Sequence, residues 1–183
     1  MINLASITIP SDALPDVLAS YAPGCSIALL PDSVAPTEVR FTHPTQPEPS
    51  LAQLETIWQM QQQGRLDNAI AAKAARINAE RDRRISQLTW NGRTWDFDPE
   101  SQRLILAETT YATAGVRPDD AIWIDADNAP IALSNSDFIA LATAGREHYE
   151  SLFFVAREYK NGLSNLTSIE EVETYPDWPE SVP

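Results

Sequence analysis

The chain has few of the side chains that enzymes use for nucleophilic attack, proton transfer or metal binding. It contains one cysteine and two histidines among 183 residues. The lone Cys25 excludes a disulfide within the chain and any metal site built from several cysteines. His43 falls in a proline-rich stretch, and His148 stands between Glu147 and Tyr149. Neither histidine has a context that favours catalysis, so we predict no enzymatic activity, no cofactor and no metal.

Phosphate-binding glycine motifs and long apolar runs are also missing. The six glycines do not have the spacing of a nucleotide-binding loop. No run approaches the roughly 18 apolar residues of a membrane helix, and Met1-Ile2-Asn3-Leu4 predicts no signal peptide. Acidic residues outnumber basic ones by 26 to 13, which gives a net charge of −13. We therefore expect neither a nucleic-acid partner nor a membrane partner.

The apolar fraction of 43% is high enough for a packed core, and the pattern predicts an α+β protein. Residues 1–49 are predicted to form a small N-terminal mixed α/β module. Loosely alternating apolar residues indicate strands over 4–9, 26–30 and 38–42, and residues 12–21 are typical of a short helix.

A long helical connector is predicted over residues 50–86, after a proline-rich linker from Thr42 to Pro49. Ser50 and Gln53 have the spacing of a capping box, in which each side chain accepts from the other residue's backbone N–H. Gly64 is predicted to interrupt the helix, because glycine costs about 1 kcal/mol relative to alanine in a helix interior. Apolar residues then follow at intervals near a heptad seam: Leu66, Ile70, Ala74, Ile77 and Ile85.

Residues 87–183 are predicted to form a C-terminal domain that begins with a β-hairpin. Asn91-Gly92 favours a two-residue type I′ turn, which places Leu88 opposite Trp95. Asp98 comes directly before a proline and is predicted to cap the next helix.

The rest of this domain is predicted to contain two strands and a long amphipathic helix. The strands cover residues 121–125 and 130–133. The helix begins near Ser134 and ends at Gly162, and a short last helix covers 167–173. The apolar stripe of the long helix includes Phe138, Leu141, Tyr149, Leu152, Val155, Ala156 and Tyr159.

Two features of this domain and of the helix before it indicate contact with another polypeptide. Residues 175–179 are an aromatic and proline-rich segment that cannot continue a helix, and it either docks on its own domain or binds a partner. Truncation after Glu173 is therefore expected to leave the fold largely intact and to weaken partner binding. Five of the 13 basic residues also lie between positions 73 and 84. We predict that partner contacts involve Tyr175, Trp178, Pro179, Arg76, Arg81 and Arg84.

The C-terminal two-thirds of the chain resembles a family of phage tail proteins of unassigned function. The resemblance covers roughly residues 72–183. It rests on the segment Ile77–Ile85, the Asn91-Gly92 hairpin, the segments Trp95–Ser101 and Trp123–Asn128, and the helix from Ser136 onward.

The end of the chain is similar to that of tail-fibre assembly chaperones. These proteins often close with a helix that carries an Arg-Tyr-type pair, an acidic stretch, and an aromatic-Pro-x-Trp-Pro tail. The corresponding residues here are Arg157, Tyr159, Glu170, Glu171 and Tyr175 through Pro179.

The resemblance implies a bacteriophage tail-fibre assembly chaperone. Such a protein would bind the fibre protein in the host cytoplasm, assist its folding and trimerisation, and then either leave or stay on the virion tail. Fibre chains expose strands and apolar surface before they trimerise, and such intermediates aggregate. The predicted partner is the tail-fibre protein, and self-association of this chain into a homo-oligomer stays open.

Two other classes of function stay open. One is a structural virion component, either a short tail fibre or a baseplate adaptor, in which the helical connector forms an oligomeric stem. The other is an enzyme that acts on host-surface polymers, for which Asp96, Asp98 and Glu100 would supply paired carboxylates. Asp98 is explained better as a helix cap. Asp125 to Asn128 are similar to a fragment of a calcium loop, but Ser136 occupies the twelfth position, which requires glutamate.

Overall fold

The computed structural model describes residues 2–3, 8–10, 12–29 and 38–179. The chain divides into two compact units, Met1–Asn68 and Ala69–Pro183. Helices and small antiparallel sheets occur together, which confirms the predicted α+β class. The predicted division into three domains, with boundaries after residues 49 and 86, stays a prediction.

The first unit contains a short helix and a three-stranded antiparallel sheet. The elements are β1 (Ile2–Asn3), α1 (Leu14–Tyr21), β2 (Ser26–Leu29) and β3 (Glu38–Thr42), and the strand order is β1-β3-β2. The predicted helix and the second and third predicted strands are confirmed. The strand predicted over residues 4–9 lies mostly outside the described residues. The core of this unit contains Ile9, Leu14, Val17, Leu18 and Leu54.

One continuous helix, α2, spans Leu51–Ile85. Its predicted capping box is present: the backbone N–H of Ser50 donates to Oε1 of Gln53 over 2.9 Å, and the backbone N–H of Gln53 donates to Oγ of Ser50 over 3.3 Å. The predicted interruption at Gly64 is wrong. A cost of about 1 kcal/mol at one position does not break a long helix whose neighbouring residues are good helix formers.

The second unit uses the C-terminal part of α2 in its own core. Ile77 and Ile85 are buried, and Ile70 and Ala74 are half-buried against the same core. From Ile70 onward, the predicted apolar seam therefore packs within this unit.

A β-hairpin follows α2. Its strands are β4 (Gln87–Trp90) and β5 (Arg93–Asp96), and Leu88 lies opposite Trp95 as predicted. Asn91 and Gly92 have φ angles of 50° and 72°, as a two-residue turn with two left-handed positions requires.

A second hairpin consists of β6 (Ala121–Ile124) and β7 (Pro130–Leu133), which confirms the two predicted strands. The buried Arg117 holds both strands. Its Nη1 donates to the carbonyl oxygen of Leu133 over 3.0 Å, and its Nη2 donates to the carbonyl oxygen of Ala121 over 3.1 Å.

Two helices pack together in the second unit: α3 (Pro99–Thr113) and α4 (Asn135–Leu163). Asp98 caps α3 by accepting a hydrogen bond from the backbone N–H of Ser101 over 2.8 Å. Ser134 caps α4 in the same way. The predicted cap at Asp98 and the predicted helix start near Ser134 are confirmed, so short local signals define where these helices begin.

The predicted apolar stripe of α4 is buried at Phe138, Leu141, Leu152 and Ala156, but Tyr149 is 40% exposed. A last short helix, α5, spans Ile169–Thr174, one or two residues from its predicted position. No helix within the described ranges combines the length and the apolar character that a membrane span requires.

Gly162 was predicted to end α4, but the helix continues for one more residue, to Leu163. A Cβ at Gly162 would lie 2.3 Å from the hydroxyl oxygen of Tyr175. Glycine is therefore explained at this position by the close approach of Tyr175.

Candidate partner-binding surface

An apolar groove of about 770 Å³ lies between α3 and α4. Ile105 and Leu106 line it from α3, Ile139 and Ala142 line it from α4, and the buried Phe97 also contributes. Leu106 is 69% exposed. An exposed apolar concavity between two helices is typical of a surface that another polypeptide covers.

Aromatic side chains extend this surface along α4. Tyr149 lines the groove, and Phe153 follows four residues later on the same helix face. The two rings stack, with centroids 6.1 Å apart and planes 12° apart. Since Phe153 lies fourteen residues after Ile139, the stripe is about 21 Å long at about 1.5 Å per residue. We call this stripe and its α3 wall the α3–α4 groove.

Gly145 allows the tight packing beneath this groove. A Cβ at this position would lie 2.3 Å and 2.4 Å from two ring carbons of Phe97. Such separations are far below a carbon–carbon contact of about 3.5–4.0 Å. The absence of a side chain at Gly145 therefore lets the Phe97 ring approach the backbone of α4.

Ion pairs flank the α3–α4 groove. Arg103 donates Nε and Nη2 to the carboxylate of Glu100 over 3.0 and 2.5 Å, and the hydrogen bond from Arg103 lowers the pKa of Glu100. Arg146 pairs with Glu150 on α4. The rim is therefore charged but locally neutral, and the floor is apolar, as in many protein interfaces.

The predicted partner-binding tail, residues 175–179, lies on its own unit. The hydroxyl of Tyr175 donates to the carbonyl oxygen of Tyr159 over 3.1 Å. Burial, with a smaller effect of Tyr159, raises the pKa of Tyr175. Pro179 is half-buried.

Trp178 belongs to the core of the second unit and is only 7% exposed. The guanidinium of Arg84 lies 5.1 Å from the centre of its ring. Its indole Nε1 is buried and has no acceptor among the described residues. The sequence left open whether this segment docks on its own domain or binds a partner. In the structure it is docked on its own domain. Partner contact by Tyr175, Trp178 and Pro179 stays a prediction, and contact through the Trp178 ring requires release of the tail.

The basic cluster on α2 consists of Lys73, Arg76, Arg81, Arg83 and Arg84, and its first two residues hold this tail. Lys73 is buried, and its Nζ donates to the carbonyl oxygen of Tyr175 and, over 2.9 Å, to the carboxylate of Asp177. Nε of Arg76 lies 3.5 Å from the same carboxylate of Asp177. An acidic group of this chain therefore pairs with Arg76, which is one of the predicted partner contacts.

The remaining arginines of the cluster pair along α2. Glu80 accepts hydrogen bonds from Arg83 and Arg84, of which the bond from Arg83 contributes most to lowering the pKa of Glu80 to about 2. Arg81 pairs with its neighbour Asp82. The guanidinium of Arg81 also lies 5.8 Å from the centre of the Phe153 ring. Arg81 is therefore a predicted contact residue that adjoins the α3–α4 groove.

Comparison with known families matches residues 68–177 to a domain of unknown function, DUF4376. The chain belongs to the DUF4376 family. The matched region contains the α3–α4 groove, both hairpins and the tail as far as Asp177. No curated protein and no solved structure matches this DUF4376 protein.

The histidines and the cysteine of this DUF4376 protein are not among the residues that line the groove. Nδ1 of His43 accepts a hydrogen bond from the backbone N–H of Gln46 over 2.9 Å. Nε2 of His148 lies 3.1 Å from the carbonyl oxygen of Arg84. Cys25 is half-buried in the first unit. The hydrogen bond of His43 holds local backbone, and the contact of His148 joins α4 to the end of α2.

The acidic segment after β6 forms a turn. The carboxylate of Asp125 accepts from the backbone N–H groups of Asp127 and Ala129 over 3.0 and 2.8 Å, and from Arg93 over 2.9 Å. The hydrogen bond from Ala129 is the main cause that lowers the pKa of Asp125. Within the part of the chain that the structure describes, no group of three or more acidic, histidine or cysteine side chains could hold a metal ion.

The α3–α4 groove was not predicted from the sequence, although α3 carries a signal for it. Leu104, Ile105 and Leu106 are consecutive, and consecutive residues of a helix point about 100° apart. They cannot all face one core. Ile105 is buried, whereas Leu104 and Leu106 are exposed.

Proposed function

We propose that this DUF4376 protein binds another protein through the α3–α4 groove and serves as an assembly chaperone for a bacteriophage tail fibre. The groove carries the proposal, because it combines an apolar floor, an exposed leucine and two stacked aromatic rings. Its length of about 21 Å corresponds to about four turns of a helix. An amphipathic helical segment of the partner therefore fits it.

The aromatic residues at one end of the α3–α4 groove support the proposal that this surface binds a protein. Tyrosine and arginine are enriched among the residues that dominate binding energy, because they bury a large area and keep polar groups. Tyr149 and Phe153 stack there, and the guanidinium of Arg81 lies beside Phe153. The nearby ion pair of Arg146 and Glu150 provides a polar rim.

The phage part of the proposal rests on the resemblance of residues 72–183 to phage tail proteins and of the tail to fibre chaperones. Fibre chains that have not yet trimerised carry apolar segments that aggregate. A protein with a net charge of −13 that covers such a segment would keep the complex soluble. We place this action in the host cytoplasm during assembly, with the protein either released afterwards or retained on the virion tail.

The runner-up, a structural virion component with an oligomeric stem, has less support. Its stem would use the apolar seam of α2. Ile77 and Ile85 of that seam pack within the core of the second unit, which leaves less apolar surface for helix association.

Co-expression with the tail-fibre protein of the same phage tests the proposal. We expect this protein to raise the yield of soluble fibre trimers, measured by size-exclusion chromatography with light scattering. A charge in the apolar groove is costly to desolvate, so Leu106→Glu should remove the effect. Leu104→Glu is the matched control, because Leu104 is exposed on the same helix but does not line the groove.

Two results would contradict the proposal. The fibre could be equally soluble and trimeric without this protein, which would exclude a chaperone role. The two glutamate variants could support assembly equally, which would exclude the groove. Near-UV circular dichroism of both variants serves as the check that each is folded.

A further inference from the structure

The β6–β7 hairpin is apolar on both of its faces. All four residues of each strand are apolar. The inner face packs on α4, where the ring of Trp123 meets the ring of Phe138 with centroids 5.0 Å apart, and Leu133 is buried. Antiparallel strands that have one face in water usually alternate apolar and polar residues. The composition of this hairpin is therefore typical of a sheet that is covered on both faces.

The opposite face of the hairpin is exposed. Ile122 and Ile124 are 66% and 50% exposed. Alternate residues of a strand share a face, and the register places Ala132 opposite Ile122 and Pro130 opposite Ile124. Ala132 and Pro130 are exposed as well. We call these four residues the outer hairpin face. A contiguous apolar patch of this kind is typical of a surface that binds another polypeptide.

A small cavity of about 240 Å³ adjoins the outer hairpin face. Ile122 and Ile124 line it together with Asp96 and Ser101, and none of its lining residues, all within the described ranges, is basic. Asp96 is exposed, and no described residue donates a hydrogen bond to its carboxylate. A lysine or arginine side chain of a partner fits this arrangement, because its aliphatic stem packs on apolar residues while its charge pairs with a carboxylate.

Carboxylates also flank the outer hairpin face at both ends of β6. Asp120 precedes the strand, Asp127 follows it, and both are exposed. Two basic side chains beside the hairpin already form ion pairs: Arg93 with Asp125, and Arg117 with Glu108. Like charges that face each other across an interface are unfavourable, so a second copy of this acidic chain is a poor occupant. A segment that carries basic residues beside apolar ones complements the surface.

We propose that the outer hairpin face binds a helix of another protein whose apolar stripe is flanked by basic residues. Two strands about 4.8 Å apart present a face about as wide as one helix, roughly 10 Å. The stripe covers Ile122 and Ile124, and one lysine or arginine enters the cavity and pairs with Asp96. Apolar burial supplies affinity, and the carboxylates select the sign of the partner's charge. The outer hairpin face shares no residue with the α3–α4 groove, and its role is independent of the proposed function.

A titration of the full, ¹⁵N-labelled chain with a synthetic peptide tests this site. The probe is an acetylated and amidated peptide of about twelve residues with leucine on one helical face and lysine on the other, because a helix of this length, about 18 Å, spans a short strand. We expect shifts at the backbone amides of Asp96, Ile122 and Ile124. The same peptide with glutamate in place of lysine should bind about tenfold more weakly.

Two variants that each remove one negative charge provide the matched comparison. Asp96 and Glu158 are both exposed and have no ion-pair partner among the described residues, but only Asp96 lines the cavity. Asp96→Asn should weaken peptide binding about three- to tenfold, and Glu158→Gln should leave it unchanged. Ile122→Thr keeps a β-branched side chain but removes apolar contact, so it should weaken binding about three- to tenfold. Leu106→Glu should leave the shift at Ile124 unchanged, because Leu106 does not line this cavity.

Four outcomes would overturn the proposal. Equal losses in Asp96→Asn and Glu158→Gln would show non-specific attraction of charge. Undiminished binding to Ile122→Thr, or the absence of shifts at the hairpin amides, would exclude the outer hairpin face. Hairpin shifts that grow with protein concentration alone would show that a second copy covers this face. None of these outcomes changes the effect of Leu106→Glu on the fibre, so the outer hairpin face and the proposed function can fail separately.

Discussion

Replacement of Trp178 by alanine should destabilise the second unit by about 2 kcal/mol. Loss of a buried tryptophan side chain costs about 3–5 kcal/mol. The buried indole Nε1 has no described acceptor, so removal of this N–H returns about 1–3 kcal/mol. A tail that served only as an arm for a partner would behave like a surface site, where substitutions change stability by less than about 0.5 kcal/mol.

Urea unfolding followed by near-UV circular dichroism measures this difference. Trp178→Phe is the control, because it keeps most of the ring and removes the unpaired N–H. It should lose less than about 1 kcal/mol. Wild-type stability in the alanine variant, or equal losses in both variants, would refute the assignment of Trp178 to the core.

Truncation after Glu173 should also destabilise the second unit, contrary to the expectation from the sequence. It removes Trp178 and the two groups that bind the buried Lys73, namely the carbonyl of Tyr175 and the carboxylate of Asp177. A buried ammonium group without its partners is strongly destabilising. The truncated chain should therefore be less stable than the alanine variant in the same urea experiment.

Three further predictions concern other parts of the molecule. Gly145→Ala should cost about 1–3 kcal/mol because the ring of Phe97 must move, whereas Gly64→Ala, with nothing within 4 Å of the added Cβ, should gain about 0.5–1 kcal/mol in thermal melts. Equal effects would contradict the close packing. Glu80 has a folded pKa of about 2, below its ordinary 4.5. It therefore contributes stability that is present above about pH 4.5 and is lost as the pH falls towards 2. Glu80→Gln should flatten the stability–pH curve in that window, and an unchanged curve would count against the ion pairs. Arg117→Met should cost about 2–4 kcal/mol in urea unfolding, because buried carbonyl oxygens lose their donor. A wild-type midpoint would contradict this role.

Elements with local signals were predicted well from the sequence. The capping box at Ser50, the turn at Asn91-Gly92 and the caps at Asp98 and Ser134 each depend on residues within three or four positions of one another. The helices and strands that these signals define are therefore present within one or two residues of the predicted bounds.

Features that depend on distant residues were not predicted. The ring of Phe97 meets Gly145, and the hydroxyl of Tyr175 meets Gly162, across separations that no periodic pattern reveals. The docked position of Trp178 was one of two alternatives that the sequence left open, because it depends on partners in α2. The α3–α4 groove was missed for the same reason, since it exists only where two helices from different parts of the chain meet.

Hydrogen–deuterium exchange of the protein alone and bound to the proposed partner, a tail-fibre protein, most directly tests whether a partner covers the α3–α4 groove. Slower exchange is expected in the complex at residues 102–109 and 139–153. Tyr149→Ser should weaken the complex, whereas Tyr111→Ser, an exposed tyrosine outside the groove, should not. A stable complex with slower exchange only in the first unit or at residues 175–179 would contradict the groove as the binding surface.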